Sequence, residues 1–244
     1  GLVSLQSMDE QTLKVIDRSN IKLEKYNELA TEFRRAKLPL AADIMMGLPG
    51  STPKSFFDDL QKCTDLGVRV RANPTMVLTN SPMNEPGYRE KHGISALPGE
   101  IMMESATYTR QEWTEMNNLR VAYSLFDNWG ILRYVARYLR RDKGLREVAF
   151  YEKLRAEVGE NASSWPVVAT TLKTLEGYMA APGSLCLFID QVRRFIVYVV
   201  GVKEVYALMT LRQVEIEHLP EAERSFPYAS SMEDEYAAGQ ARVV

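Results

Sequence analysis

From its first residues the chain alternates short apolar runs with segments whose apolar residues recur at helical spacing. Leu2 to Gln6 predicts a strand, and Ser7 with Glu10 three residues later forms an S-x-x-E capping box. The helix so opened is expected to run to about Arg18. Leu23, Tyr26, Leu29, Ala30 and Phe33 share the apolar face of a second helix, which ends in Arg34, Arg35 and Lys37, where its dipole favours cations. Pro39 then precedes Leu40 to Met46, a near-continuous apolar run that predicts a strand covered on both faces. Gly47-Leu-Pro-Gly50 reads as a turn, with Thr52 capping a third helix and Pro53 at its first position. Phe56, Phe57, Leu60 and Cys63 give that helix its stripe, and Gly67 ends it. Val68 to Thr79 is a further strand, broken by Asn80-Ser-Pro82. Strand–helix alternation with such short connections predicts parallel strands joined by crossovers.

Past residue 84 the pattern changes. A short helix near Tyr88 to His92 leads to an irregular stretch around Leu97-Pro-Gly99, and Thr109 with Glu112 forms a second capping box. Helices are then predicted near 110–126, 129–141, 145–158, 165–181, 185–200 and 202–218, punctuated by Gly130, Gly144, Gly159, Pro182-Gly183 and Gly201. The expected organisation is an α/β region over 1–108, an all-α region over 109–226 and a disordered tail over 227–244.

Composition narrows the function classes. A net charge of −2 and a pI near 5.9 give no reason to expect nucleic acid or an anionic membrane as partner. No apolar run reaches the roughly 18 residues of a membrane span, and no signal peptide is evident, so a cytoplasmic location is expected. Cys63 and Cys186 lie too far apart for a metal-ligand pair and read as buried, inert thiols. The opening Gly1-Leu-Val-Ser-Leu-Gln-Ser7 has no initiating Met and reads like the middle of a strand rather than the beginning of a protein.

Candidate chemistry concentrates in the α/β region. Parallel strands of a barrel present their site at the C-terminal ends, which brings forward Gln6 at the end of the first strand and Asp43 within the second. A carboxylate amid Ala42, Ile44 and Met45 costs several kcal/mol to bury without donors, so something must satisfy it. A neighbouring barrel residue or a ligand would each do so. Arg133, Arg137, Arg140 and Arg141 share a helix face opposite Leu132, Val135 and Leu139, which suits a solvated face or an anion site. Trp113, Tyr123, Phe126, Trp129 and Tyr134 suit core packing or a substrate pocket, and His92 and His218 read as surface residues. Gly47 to Thr52 ahead of a helix could hold a phosphate, but no Gly-Lys-Ser/Thr follows.

Taken together, Ser4-Leu-Gln-Ser-Met-Asp-Glu10, Asp17-Arg-Ser-Asn20 and Asp43-Ile-Met-Met-Gly-Leu-Pro-Gly-Ser-Thr52 resemble the fourth and fifth strands of the radical S-adenosylmethionine (SAM) core. The likeness is strongest to members with an N-terminal cobalamin-binding domain and to the coproporphyrinogen oxidase type. Those proteins share an L-Q-S element, an Arg on the following helix and a D-hydrophobic-hydrophobic-x-G-L-P-G segment. Asn73 to Met83 is similar to the sixth strand and its loop, although Leu78-Thr-Asn-Ser81 stands where the family often has L-P-G-T. The resemblance covers residues 1 to about 125.

It implies half of a partial (β/α)6 barrel, about three parallel strands, followed by the helical region. It also implies that Gln6, Arg18 and Asp43 hold the methionine and ribose groups of SAM, with the backbone near Val77 meeting the adenine. The implied chemistry is reductive SAM cleavage by a four-iron four-sulfur cluster, giving a 5′-deoxyadenosyl radical for use on a small-molecule or peptide substrate. The cluster motif C-x-x-x-C-x-x-C is not in this sequence, so its ligands, and any cobalamin, are expected on an N-terminal part of the same polypeptide. This chain alone is not expected to catalyse, and it contributes no metal ligand and no catalytic group of its own. Two other readings stand beside it: a non-catalytic α/β-helical interaction module, and a different α/β enzyme using Asp43 as acid–base.

Overall fold

A computed structural model describes residues 1–18, 23–173 and 184–202. The helix expected over 202–218, the tail from 227, His218, the Cys186 side chain and the later part of the 165–181 segment lie outside the described residues. The chain divides into two compact units, one ending at Ser124 and the other beginning at Leu125.

The first unit contains β1 (Leu2–Gln6), α1 (Glu10–Val15), α2 (Leu23–Arg35), β2 (Ala41–Met46), α3 (Pro53–Asp65), β3 (Arg69–Pro74), α4 (Pro86–His92) and α5 (Arg110–Tyr123). The strands form one parallel sheet in the order β1-β2-β3, as the short helical connections predict. Ala42, Ile44 and Met46 are fully buried, with Leu5 and Val70 buried beside them. The α3 stripe of Phe56, Leu60 and Cys63 is buried too, and α3 packs on β2 and β3 and against α5.

Four expectations need correction. The second strand is not closed on both faces: Ala41, Asp43 and Met45 are only half-buried, alternating with their buried neighbours. An apolar run cannot by itself distinguish these cases, because Ala and Met suit either face. Ser7 does not cap α1. The cap is Asp9, whose carboxylate accepts from the Thr12 N–H at 2.8 Å, a stronger, charge-assisted bond. That helix stops at Val15, three residues before Arg18, as Asp17 turns to φ +50° and the Arg18 N–H reaches back to the Leu13 carbonyl at 2.9 Å. The third strand ends at Pro74, and the chain beyond it pairs antiparallel at Met76 with Ile101.

The second unit follows a π-helical turn at Ser124–Asn128 and carries α6 (Arg133–Lys143), α7 (Glu147–Glu160), α8 (Pro166–Lys173) and α9 (Ser184–Tyr198). Phe126, Phe150, Tyr151, Phe188 and Phe195 are completely buried, with neighbouring ring centroids 5.6–6.1 Å apart. No helix among the described residues is long and apolar enough to cross a membrane.

Candidate functional site

The open face of the sheet carries a polar row. Ser4, Asp43 and Arg71 occupy the same rank of the parallel register, one on each strand. Period-two alternation puts them opposite the face that Ala42, Ile44 and Val70 bury. Asp43 Oδ2 accepts a long hydrogen bond from Ser4 Oγ at 3.5 Å, and Oδ1 lies 3.4 Å from Arg71 Nε. That second approach is an ion pair by distance only: Oδ1 is shielded from solvent yet makes no hydrogen bond. The Asp43 side chain is 18% exposed and that of Arg71 63%, and the carboxylate keeps acceptor capacity to spare.

At the C-terminal end of β1 the chain takes an unusual turn. The register with β2 shifts between Ser4 and Gln6, and Gln6 adopts φ +65°. The Ser7 N–H bonds the Leu5 carbonyl at 2.8 Å, closing a three-residue turn about Gln6 in the rarer, strained hand of the γ-turn. A non-glycine residue held there costs roughly 1–2 kcal/mol, so its neighbours must enforce it. They do so from α3. Asp59 Oδ2 accepts from Ser7 Oγ at 2.6 Å and from the Met8 N–H at 3.0 Å, while Lys62 Nζ donates to the Met8 carbonyl at 3.2 Å. Burial pushes the Asp59 carboxyl up to about 6, with Ser7, the Met8 N–H and Lys62 pulling the other way. Sequence reasoning missed Asp59. Its one signal is a carboxylate at a buried position of the α3 stripe, beside Phe56, Leu60 and Cys63.

The loop after β2 is equally fixed. Gly47 has φ +77° and Gly50 φ +88°, and a Cβ on Gly50 would lie 2.8 Å from Val15. Tyr108 Oη donates to the Gly47 carbonyl at 2.6 Å, and Ser51 Oγ to that of Leu48 at 2.7 Å. The N-terminus of α3 is closed by its own capping box of Thr52 and Ser55, so a phosphate there would compete with those bonds. Beyond β3, Val77 is completely buried against Ile94 and Met102. Its N–H donates to Glu100 and its carbonyl accepts from Gly99 at 2.7 Å, so the backbone at this point is tied to the following loop. Arg18 is exposed at the end of the turn that closes α1, held there by its backbone N–H on the Leu13 carbonyl.

The structure thus brings Gln6 and Asp43 onto adjacent strands, and gives no bond between either of them and Arg18 or Val77. Other residues singled out in the sequence have structural roles. Cys63 is fully buried, its thiol pushed up to about 12 mainly by burial, as an inert thiol should be. His92, half-buried, packs against Tyr88 with ring centroids 4.3 Å apart and the planes tilted by 43°. In the second unit the arginine face is only partly solvated: Arg133 donates to the Asp127 and Asn128 carbonyls, and Arg140 pairs at 3.3 Å with Glu147, which is 2% exposed. Trp113 and Tyr123 are buried in the first unit and Phe126 in the second, whereas Trp129 is exposed.

The donor set also bears on cofactors. Among the described residues no three His, Cys, Asp or Glu side chains converge as metal ligands. The Asp43 side chain is 18% exposed on an open sheet face, and Ser4 Oγ gives its Oδ2 only a long 3.5 Å bond.

No family model matches the chain. It is 27% identical to a 2-(S-pantetheinyl)-carbapenam-3-carboxylate methyltransferase of Streptantibioticus cattleyicolor, over 64% of this chain and 26% of that protein. It is also 27% identical to the cobalamin-dependent radical SAM methyltransferase TokK of Streptomyces tokunonensis, over 63% of this chain and 25% of that protein. The chain therefore spans about a quarter of the length of the curated relatives it matches. The radical SAM resemblance carried by the Gln6, Arg18 and Asp43 segments is matched by a curated relative: this chain is similar to part of a cobalamin-dependent radical SAM methyltransferase.

Proposed function

We propose that this chain is the later half of a radical SAM barrel, with its helical extension, and that its sheet holds one side of SAM. The observation that carries this is the row of Ser4, Asp43 and Arg71 on the open face, one strand position from the strained Gln6 turn. The two relatives, both methyltransferases by name, support a SAM-dependent methyl transfer by the whole enzyme. A four-iron four-sulfur cluster carried elsewhere on the polypeptide would supply the electron for reductive cleavage of SAM held by these residues. Cobalamin would likewise be bound by another part of the protein.

This chain's residues bind and orient. Arg71 beside Asp43 makes a second cation unwelcome there, so Asp43 suits a pair of neutral hydroxyls, such as those of the ribose, better than the SAM ammonium. Gln6 offers both a donor and an acceptor at the strand end. Arg18, exposed and always charged, suits the SAM carboxylate. Near Val77, whose own N–H and carbonyl are tied to Glu100 and Gly99, the adenine would meet the exposed Met76 and Leu78 on either side. The substrate lies outside this set of contacts and is a small molecule or a peptide.

The test uses the full-length polypeptide, reconstituted anaerobically with iron and sulfide and supplied with a reductant. SAM should be consumed to 5′-deoxyadenosine or S-adenosylhomocysteine, and Gln6→Ala and Asp43→Asn should each slow that turnover. A reconstituted protein that neither binds nor consumes SAM contradicts the proposal. The gene should also encode a C-x-x-x-C-x-x-C motif on the N-terminal side of β1.

A further inference from the structure

Asp59 has no part in the contacts assigned above, yet its placement is unusual. It lies on α3, its side chain is 2% exposed, and one of its oxygens takes two hydrogen bonds from consecutive residues of a different element. Those residues, Ser7 and Met8, follow Gln6 directly. Ser7 is itself 3% exposed, and its hydroxyl oxygen also accepts the Asp9 N–H at 3.0 Å, joining the turn to the cap of α1. Met8 is gripped at three points: its N–H by Asp59, its carbonyl by Lys62, and its sulfur by Cys63 Sγ at 3.7 Å.

We propose that Asp59 is a positioning residue for SAM binding: through Ser7 and Met8 it holds Gln6 in the strained turn from which its side chain reaches the ligand. A left-handed glutamine persists only where its surroundings over-determine it, and Asp59 supplies the two bonds that fix the residues after it. A carboxylate does this better than a neutral acceptor, because charge-assisted bonds are shorter and stronger. The inference rests on the reading of Gln6 as a SAM contact.

The experiment is a double-mutant cycle on SAM affinity in the full-length, reconstituted enzyme, read by calorimetry with a melt of each protein. The set is wild type, Gln6→Ala, Asp59→Ala, Asp59→Asn and the double variant Gln6→Ala with Asp59→Ala. If Asp59 populates the competent turn, its loss lowers apparent affinity by the fraction of turn lost, on the order of tenfold. In the Gln6→Ala background the same change should then cost less than about twofold, since the two act as one unit. Asp59→Asn, which keeps an acceptor, should recover most of the loss. A loss equally large with and without Gln6, or full affinity in a folded Asp59→Ala, overturns the proposal. If Asp59→Ala does not fold, Ser7→Ala, which removes one of the two links, replaces it in the same cycle. A wild-type enzyme that does not bind SAM fails the parent reading, and shows it in the first titration.

Discussion

Arg71 Nε stands 3.4 Å from Asp43 Oδ1, directly across the register of two parallel strands, yet no hydrogen bond joins them. With the arginine side chain 63% exposed, such a pair contributes at most about 1 kcal/mol to stability. Its effect on a ligand depends on what Asp43 receives. If hydroxyls, Arg71→Met removes a steadying neighbour and weakens SAM binding by no more than roughly fivefold. If the SAM ammonium, removal of a competing cation tightens binding. Calorimetric titration of Arg71→Met should show the first pattern.

Gly50→Ala tests the loop at the end of β2. At φ +88°, with the new Cβ 2.8 Å from the Val15 side chain, both backbone and packing object. The loss should exceed the roughly 1 kcal/mol typical of such substitutions at incompatible φ. Gly99→Ala has a similar φ, +87°, and open space around it, so it isolates the backbone part. A thermal melt in which Gly50→Ala falls no further than Gly99→Ala would contradict the packing.

The buried Asp59 carboxyl gives a pH dependence with a definite sign. Its native value near 6 lies above its ordinary 3.8, so between these limits the native state holds a proton that the unfolded chain releases. Stability from this group therefore falls as pH rises from about 4 to 6, by up to roughly 3 kcal/mol. Asp59→Asn should abolish that component. The difference in melting temperature between wild type and variant, followed from pH 4 to 7, checks it, and parallel curves would refute it.

Both outer strands of the sheet, β1 and β3, have one edge unpaired among the described strands. Leu2 on β1 is 50% exposed. Unprotected edges with apolar side chains recruit other chains, so this chain expressed alone should self-associate. Light scattering after size-exclusion chromatography should find oligomers or aggregate. A monodisperse monomer that unfolds cooperatively would count against the half-barrel reading.

The order of elements was legible because local rules were strong. Thr52 with Pro53, and Thr109 with Glu112, mark the starts of α3 and α5, and Gly67 marks the end of α3. Strand–helix alternation carried the parallel sheet. The details that failed were decided by partners far along the chain. Ser7 looks like a cap, but its hydroxyl is claimed by Asp59, fifty-two residues on, and Asp9 takes its place. Likewise Arg140 looks solvated until Glu147 is folded against it. Of the candidate site, Asp43 was visible as a charge in an apolar strand, while Arg71 and Asp59 were hidden in an alternating strand and an amphipathic helix, where charges are ordinary. The left-handed turn at Gln6 has no sequence signal, since glycine would be the expected residue.

The central claim is that the sheet of this chain holds SAM, and Asp43 is where it is most exposed to test. Asp43→Asn in the full-length, reconstituted enzyme keeps the shape of the side chain and removes its charge. Loss of one charge-assisted bond should weaken SAM binding by about 1.5–3 kcal/mol, roughly ten- to a hundredfold. The melting temperature should barely move, because the amide is nearly isosteric and the Arg71 pair is worth little. A calorimetric titration with SAM beside a melt of both proteins reads the two quantities together. Unchanged affinity with a collapsed melting temperature would make Asp43 a structural residue of the sheet and contradict the account.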